Sequence, residues 1–150
     1  MNLNMHRSPP RLLAIAFAAV AIALPAAFAG DVIVKVSGAR NATGAIGCAL
    51  FASAKGFPLD NSNAIQQWLP VDGAGATCRF SKVVPGIYAV SVSHDLNGNK
   101  KTDTNFVGIP TEGWAVSNNV SPTLRAPRFD EAAFRVDGAA EIELHLALKN

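Results

Sequence analysis

The 150-residue sequence has few charged residues (16%), few aromatic residues (7%), three histidines and only two cysteines. Neither Cys48 nor Cys78 has a second cysteine or a histidine close by in sequence, so the spacing typical of a zinc site is missing. No Gly-x-Ser-x-Gly motif is present, which removes the nucleophile turn of a serine hydrolase. No internal repeat or low-complexity tract occurs either. A chain of this length is typical of one domain.

A long apolar run is also missing. The longest one, Leu12–Leu24, would rise only about 20 Å as a helix and would not cross a hydrocarbon core of about 30 Å. It follows Arg7 and Arg11 and precedes the small-x-small pattern Ala27–Ala29, which signal peptidase accepts. We therefore predict that residues 1–29 are a signal peptide and that the protein is periplasmic or secreted, without a stable membrane anchor after cleavage. An uncleaved anchor is the alternative.

The predicted mature domain, residues 30–150, has no excess of charge. The chain has 13 Lys/Arg and 11 Asp/Glu, and loss of Arg7 and Arg11 with the leader brings the basic residues to 11 as well. No basic stripe remains, so we predict no nucleic-acid partner. The expected partner is an envelope protein or a glycan.

Apolar residues at alternate positions dominate this domain and predict short strands. The Pro-Gly turn between the third and fourth strands predicts a β-hairpin, and Asn63–Leu69 has the spacing of a short helix. Six or seven strands at intervals of about ten residues favour an all-β, antiparallel β-sandwich with Greek-key connections. The predicted strands are Asp31–Ser37, Ala45–Phe51, Ala76–Val83, Ile87–His94, a short one around Trp114–Val116, Glu131–Val136 and Ala140–Leu148.

The two cysteines lie on apolar strand faces, Cys48 beside Ile46 and Leu50, and Cys78 beside Phe80. An even number of cysteines in an exported chain favours a disulfide. We predict a Cys48–Cys78 bond, and two buried free thiols are the alternative.

One loop carries a pattern of metal-ligating oxygens. Asp95, Asn97, Asn99 and Asp103 occupy positions 1, 3, 5 and 9 of an array in which the backbone carbonyl of Lys101 lies at position 7. Short oxygen-bearing side chains at alternate positions can converge on one hard cation, and we predict a weak Ca²⁺ site.

The array departs from an EF-hand, because position 6 is Lys100 instead of glycine and position 12 is Phe106 instead of glutamate. Asp130 or Glu112 is a candidate for completing the ligand set. The alternative is a plain turn, since Asn97-Gly98 is a strong turn signal.

Two further groups of residues are candidate sites. We predict a non-catalytic module. A hydrolase that uses His94 and Asp95 is a less favoured alternative, because no Gly-x-Ser-x-Gly turn or reactive cysteine accompanies the pair. Asp95, Asp103 and Glu112 could also supply paired carboxylates, but the sequence does not fix their separation. A glycan- or peptide-binding surface is the alternative function. It would use the Glu112–Asn119 region, where an aromatic ring lies among polar groups. Its candidate residues are Glu112, Trp114, Asn118 and Asn119. The competing interpretation places the tryptophan in the core and uses the amides as turn caps.

Several short motifs recur in a fixed order: Val84–Val90 (VPGIYAV), His94–Asn99 (HDLNGN), Phe106–Gly113 (FVGIPTEG) and Ser117–Asn119 (SNN). In this order they resemble an uncharacterised bacterial secreted family, domain of unknown function 2141. The resemblance extends over residues 32–148 and implies no activity. The Pro-Gly-x-Tyr segment is similar to that of transthyretin-like sandwiches, which agrees with the predicted fold.

Overall fold

Eight β-strands form two sheets in the computed structural model, which describes residues 29–150. The predicted leader lies outside the described residues except for Ala29. Among the described residues, no helix is long and apolar enough to cross a membrane. The only α-helix in this part of the chain, α1, spans Phe129–Ala132. The strands are β1 Gly30–Ser37, β2 Ala45–Phe51, β3 Ile65–Pro70, β4 Ala76–Val83, β5 Gly86–Asp95, β6 Trp114–Val116, β7 Phe134–Val136 and β8 Glu141–Ala147.

The strands form an all-β sandwich, as predicted, with one three-stranded and one five-stranded sheet. The first sheet has the order β4-β1-β8, and the second has the order β3-β2-β5-β6 with β7 paired to β5. One pair departs from the predicted antiparallel arrangement, because β8 runs parallel to β1. In this register Val32, Val34 and Val36 lie beside Ile142, Leu144 and Leu146, so the apolar faces of both strands point to the same side.

The core lies between the two sheets, and the disulfide crosses it. Cys48 of β2 and Cys78 of β4 are bonded, with their Cα atoms 6.5 Å apart, which confirms the predicted pairing. Both cysteines are fully buried among apolar strand residues. Since the bond joins one sheet to the other, it links the two layers through the centre of the core.

The predicted hairpin of β4 and β5 is wrong, because the two strands belong to different sheets. β4 pairs with β1, and β5 pairs with β2. Val84–Gly86 therefore carries the chain across the edge of the sandwich. The Tyr88 hydroxyl donates to the Val84 carbonyl at 3.0 Å, and a Cβ at Gly86 would lie 3.0 Å from the Tyr88 ring. These contacts explain why a glycine and a tyrosine occur together here.

Two other elements differ from the prediction. Asn63–Leu69 is not a helix, because Ile65–Pro70 pairs along the open edge of β2 as strand β3. A one- or two-turn helix has little stability of its own, and pairing with β2 also places Leu69 against the core. The predicted strand Glu131–Val136 is divided between the end of α1 and strand β7.

A second, smaller apolar cluster covers the outer face of the five-stranded sheet. Ala89 of β5 and Val116 of β6 are buried there against Ala132 of α1. The Phe57 ring packs edge-on against Phe51 and Phe129, at centroid distances of 5.2 and 5.9 Å. This cluster holds in place the segments around β5 and the edge strand β6, where the candidate site lies.

Candidate functional site

The acid- and amide-rich loop begins at the end of β5 and is held by Asp95. The Asp95 carboxylate is buried and accepts three backbone hydrogen bonds: from Gly98 at 2.8 Å, Asn99 at 3.2 Å and Lys100 at 2.8 Å. These bonds wrap the loop around the carboxylate. Lys100 has a left-handed φ of 57° at position 6 of the oxygen array, where an EF-hand uses glycine.

The other three side chains of the array meet on the outside of the same loop. The Asp103 carboxylate accepts hydrogen bonds from the side-chain amides of Asn97 at 2.6 Å and Asn99 at 2.8 Å. The Asn99 side-chain oxygen accepts from the backbone N–H of Lys101 at 2.9 Å. The structure thus brings the side chains of the oxygen array together in one loop. The hydrogen bonds among them also stabilise the closed conformation of this loop. Within residues 29–150 there is no group of three or more histidine, cysteine, aspartate or glutamate side chains placed to share a metal ion.

Glu112 joins the two ends of this loop. Its buried carboxylate accepts from the backbone N–H of Leu96 at 2.9 Å and from that of Asp103 at 3.2 Å. Of the two residues considered for completing the ligand set, Glu112 is therefore at the loop, whereas Asp130 lies in α1. Glu112 was also a candidate ligand-binding residue, and in the structure its carboxylate bonds to backbone.

His94 and Asp95 do not form a pair. Neighbouring residues of a strand point to opposite faces, so the His94 ring enters the core while Asp95 turns to the loop. His94 is fully buried, and its Nε2 lies 2.8 Å from the carbonyl oxygen of Thr43. Since a carbonyl only accepts, Nε2 carries the proton. The other ring nitrogen, Nδ1, has no hydrogen-bond partner in the part of the chain described here.

Trp114 lies beside a cleft on the outer face of the β5–β6 edge. The cleft has a volume of about 330 Å³. Its floor includes Ser91 and Val116, and its walls come from two segments, residues 107–110 and 122–127. The walls are rich in proline and aliphatic residues. Trp114 is half-buried, so the structure places it between the two interpretations drawn from the sequence, core residue and exposed ligand platform.

Large apolar side chains are exposed around this cleft. Among the residues that line it, Leu124 is 96% exposed, Val107 61% and Ile109 57%, and Phe106, adjacent to Val107, is fully exposed. Sequence reasoning did not find this surface. Its only signal in the sequence is the presence of aliphatic and aromatic residues in segments that are otherwise rich in glycine and proline.

The cleft has few polar groups. Ser91 lines the floor. Arg125 lines one wall and forms a two-point ion pair with Glu131, one arm of which is 2.9 Å long. Hydrogen bonding from Arg125 and from the Arg128 backbone lowers the pKa of Glu131 to about 2. The positive charge of Arg125 is therefore compensated within the protein.

Asn118 and Asn119 bond to the backbone of neighbouring segments. The Asn118 amide donates to the carbonyls of Glu131 and Ala133, each at 3.1 Å. The Asn119 amide donates to the His145 carbonyl at 2.9 Å and accepts from the Ala147 N–H at 3.1 Å. Of the four candidate ligand-binding residues, only Trp114 lines the cleft.

The fold and these sites define a small disulfide-linked β-sandwich module with one acid- and amide-rich loop and one apolar cleft. Residues 34–143 match the model of a family described as an uncharacterized protein conserved in bacteria, DUF2141, and the chain belongs to this family. No curated protein and no solved structure matches the chain.

Proposed function

We propose that this protein is an exported, non-catalytic binding module, located in the periplasm or secreted, whose cleft beside Trp114 binds an apolar peptide segment of an envelope protein. The leader pattern supports export, and the disulfide agrees with an oxidising compartment. The observation that carries the binding proposal is the apolar cleft with its rim of exposed hydrophobic side chains.

The proposal of a non-catalytic role is supported by the positions of the two residues that most resemble a hydrolase centre. The His94 ring is enclosed in the core and has no exposed edge for a substrate. The oxygens of Asp95 are engaged by three backbone N–H groups. A general base must reach the proton that it removes, and neither side chain is positioned to do so.

A peptide suits the cleft better than a glycan does. Sugar hydroxyls need polar partners, and the carboxylate of Glu112 and the amides of Asn118 and Asn119 are bonded to the protein's own backbone. The cleft volume is near the lower end of small-molecule pockets, which span about 300–1,000 Å³. The apolar surface continues beyond the cleft to Phe106, as expected where a pocket receives an anchor side chain and its rim covers the flanking residues.

We further propose that the loop from Asp95 to Asp103 binds Ca²⁺ weakly and stabilises one wall of the cleft. Support comes from the position of Asn97 and Asn99 beside the Asp103 carboxylate and from the left-handed Lys100 at the position where an EF-hand turns sharply. To bind the ion, the two amides would turn toward it the oxygens that now accept from backbone N–H groups. The loop runs directly into the wall segment 107–110, so a cation that ordered the loop would also order the wall.

A photo-reactive amino acid at position 107, on the rim of the cleft, tests the binding proposal in the native host. We expect a covalent adduct with an envelope protein. Leu124→Asp should abolish the adduct, because a buried charge opposes apolar contact. Ile65→Asp is the matched control, since Ile65 is 61% exposed, like Val107, but lies on β3 and does not line the cleft. An adduct that survives Leu124→Asp, or no adduct at all, would overturn the proposal.

A further inference from the structure

The three-stranded sheet has two edges that no strand of the same sheet covers, one along β4 and one along β8. Just beyond the end of β8, Lys149 exchanges both of its backbone bonds with Trp114. An open edge presents unpaired N–H and C=O groups and is a template for pairing with a strand of another chain. In this protein a side-chain amide lies against each of the two edges. Gln67 lies against β4, and Asn119 lies against β8.

Gln67 reproduces the bonds of an antiparallel neighbour. Its Nε2 donates to the carbonyl of Arg79, and its Oε1 accepts from the N–H of the same residue at 2.9 Å. A residue in an antiparallel ladder exchanges both of its bonds with one opposite residue in the same way. Gln67 belongs to β3 of the other sheet, so its side chain also closes this side of the sandwich.

Asn119 reproduces the bonds of a parallel neighbour. Its amide donates to the His145 carbonyl at 2.9 Å and accepts from the N–H of Ala147 at 3.1 Å, so its two bonds reach the residues on either side of Leu146. Bonds that are slanted along the strand in this manner are the parallel pattern. The backbone of Asn119 is left-handed, with φ 50°, and this conformation turns the amide toward β8.

The β4 edge carries a second obstacle to pairing. The register between β1 and β4 shifts between Gly30 and Val32, and Lys82 takes a left-handed φ of 59° at this bulge. The Asp31 carboxylate holds the bulge by accepting from the N–H of Lys82 at 3.2 Å. A bulge that places a lysine on an edge strand is a known means of preventing edge-to-edge association.

We propose that Gln67 and Asn119 act as side-chain substitutes for a missing strand, and that they prevent the edges of the three-stranded sheet from pairing with the same edges of a second copy of this chain. The antiparallel, self-complementary contact of two β4 edges, or of two β8 edges, forms a two-fold dimer when the amide is absent. The role is independent of the cleft, which lies on the other sheet.

Gln67→Met tests the β4 edge, because methionine keeps the length of the side chain and removes both polar groups. We expect the Arg79 amide to exchange its hydrogen about 2- to 10-fold faster, as for the loss of one net hydrogen bond. We also expect a concentration-dependent dimer by analytical ultracentrifugation. Gln66→Met is the matched control, because the hydrogen bonds of the Gln66 side chain go to Asn61 and Trp68 instead of to β4.

Asn119→Gly tests the β8 edge, and this test does not depend on the folding of Gln67→Met. The variant should fold, because glycine readily adopts the left-handed backbone conformation at position 119. Here the Ala147 amide should lose protection, the Arg79 amide should not change, and a dimer should form. Dimerisation of either variant, with wild type and Gln66→Met monomeric, supports the proposal for that edge. Two folded variants that stay monomeric, or an Arg79 amide that is unprotected in the wild type, would overturn it.

Discussion

The Trp68 ring lies so close to Gly47 that a Cβ added at position 47 would lie 2.3 Å from the ring carbon Cζ3. The two residues are opposite each other in the β2–β3 ladder, on the outer face of the five-stranded sheet. Gly47 is therefore required by the close approach of a side chain, and its backbone φ is not left-handed.

Gly47→Ala should lower the free energy of unfolding by about 1–3 kcal/mol, the usual cost of overpacking. Urea unfolding measures it. The control is a double-mutant cycle with Trp68→Ala, in which the added methyl group should cost much less because the ring is absent. An equal cost in both backgrounds would show that the contact with Trp68 is not the cause.

Loss of the disulfide should destabilise the fold strongly. The bond joins residues separated by 30 positions, and its removal is expected to cost about 2–5 kcal/mol. Comparing urea unfolding of the wild type with that of Cys48→Ala/Cys78→Ala measures this cost. Thiol titration of the denatured, unreduced wild type is the control and should detect no free thiol; two titratable thiols would contradict the structure.

We predict that the mature protein lacks residues 1–29, because Arg7 and Arg11, the apolar run after them and the Ala27–Ala29 motif follow the pattern of a signal peptide. Intact-mass measurement of protein from the envelope fraction checks this prediction. A mass that still includes the leader would show that the segment is retained.

Millimolar Ca²⁺ should raise the melting temperature by about 5 °C, because a Kd on the order of 10⁻⁴–10⁻³ M allows only a small stabilisation. Mg²⁺ should have much less effect, since it requires a tighter octahedral shell. Asp103→Asn should abolish the increase in melting temperature caused by Ca²⁺ and should change the melting temperature in EDTA only slightly. Asp95→Asn should lower the melting temperature even in EDTA, because the Asp95 carboxylate accepts hydrogen bonds from three backbone N–H groups. A wild-type melt that Ca²⁺ leaves unchanged would mean that the loop is only a turn.

Acid should weaken the Arg125–Glu131 contact in a defined range of pH. The pKa of Glu131 falls from its ordinary value of 4.5 to about 2 in the folded protein. A lowered carboxyl pKa contributes stability that is fully present above about pH 4.5 and is lost as the pH falls toward 2. NMR titration of the Glu131 carboxyl measures the shift. Arg125→Leu should move this pKa back toward 4.5, because the bonds from Arg125 are its largest cause; an unchanged value would contradict that assignment.

Local sequence patterns were sufficient for most of the strands and for the disulfide. The alternation of Val32, Val34 and Val36 and the apolar neighbours of Cys48 and Cys78 require only that one face of each strand be buried. Local patterns were not sufficient to predict which strands pair with each other. A Pro-Gly turn between two amphipathic strands looks the same whether the chain returns within one sheet or crosses to the other.

The candidate loop was partly visible in the sequence, because the side chains from Asp95 to Asp103 are close together along the chain. The role of Glu112 in joining both ends of that loop depends on two contacts, over sixteen residues to Leu96 and over nine to Asp103, that no spacing rule predicts. The cleft was not visible, since its walls are contributed by residues 107–110 and 122–127 and its floor by β5 and β6.

The sequence by itself determined which residues alternate, which are apolar and which carry oxygen ligands, because these properties act over a few neighbouring residues. Only the tertiary structure decided that β8 runs parallel to β1, that Ile65–Pro70 is a strand, and that Gln67 and Asn119 close the edges of a sheet. The physical reason is that each of these features depends on unpaired backbone N–H and C=O groups of a strand that is distant in sequence. Which segment pairs with those groups is determined only when the two sheets pack on a common core.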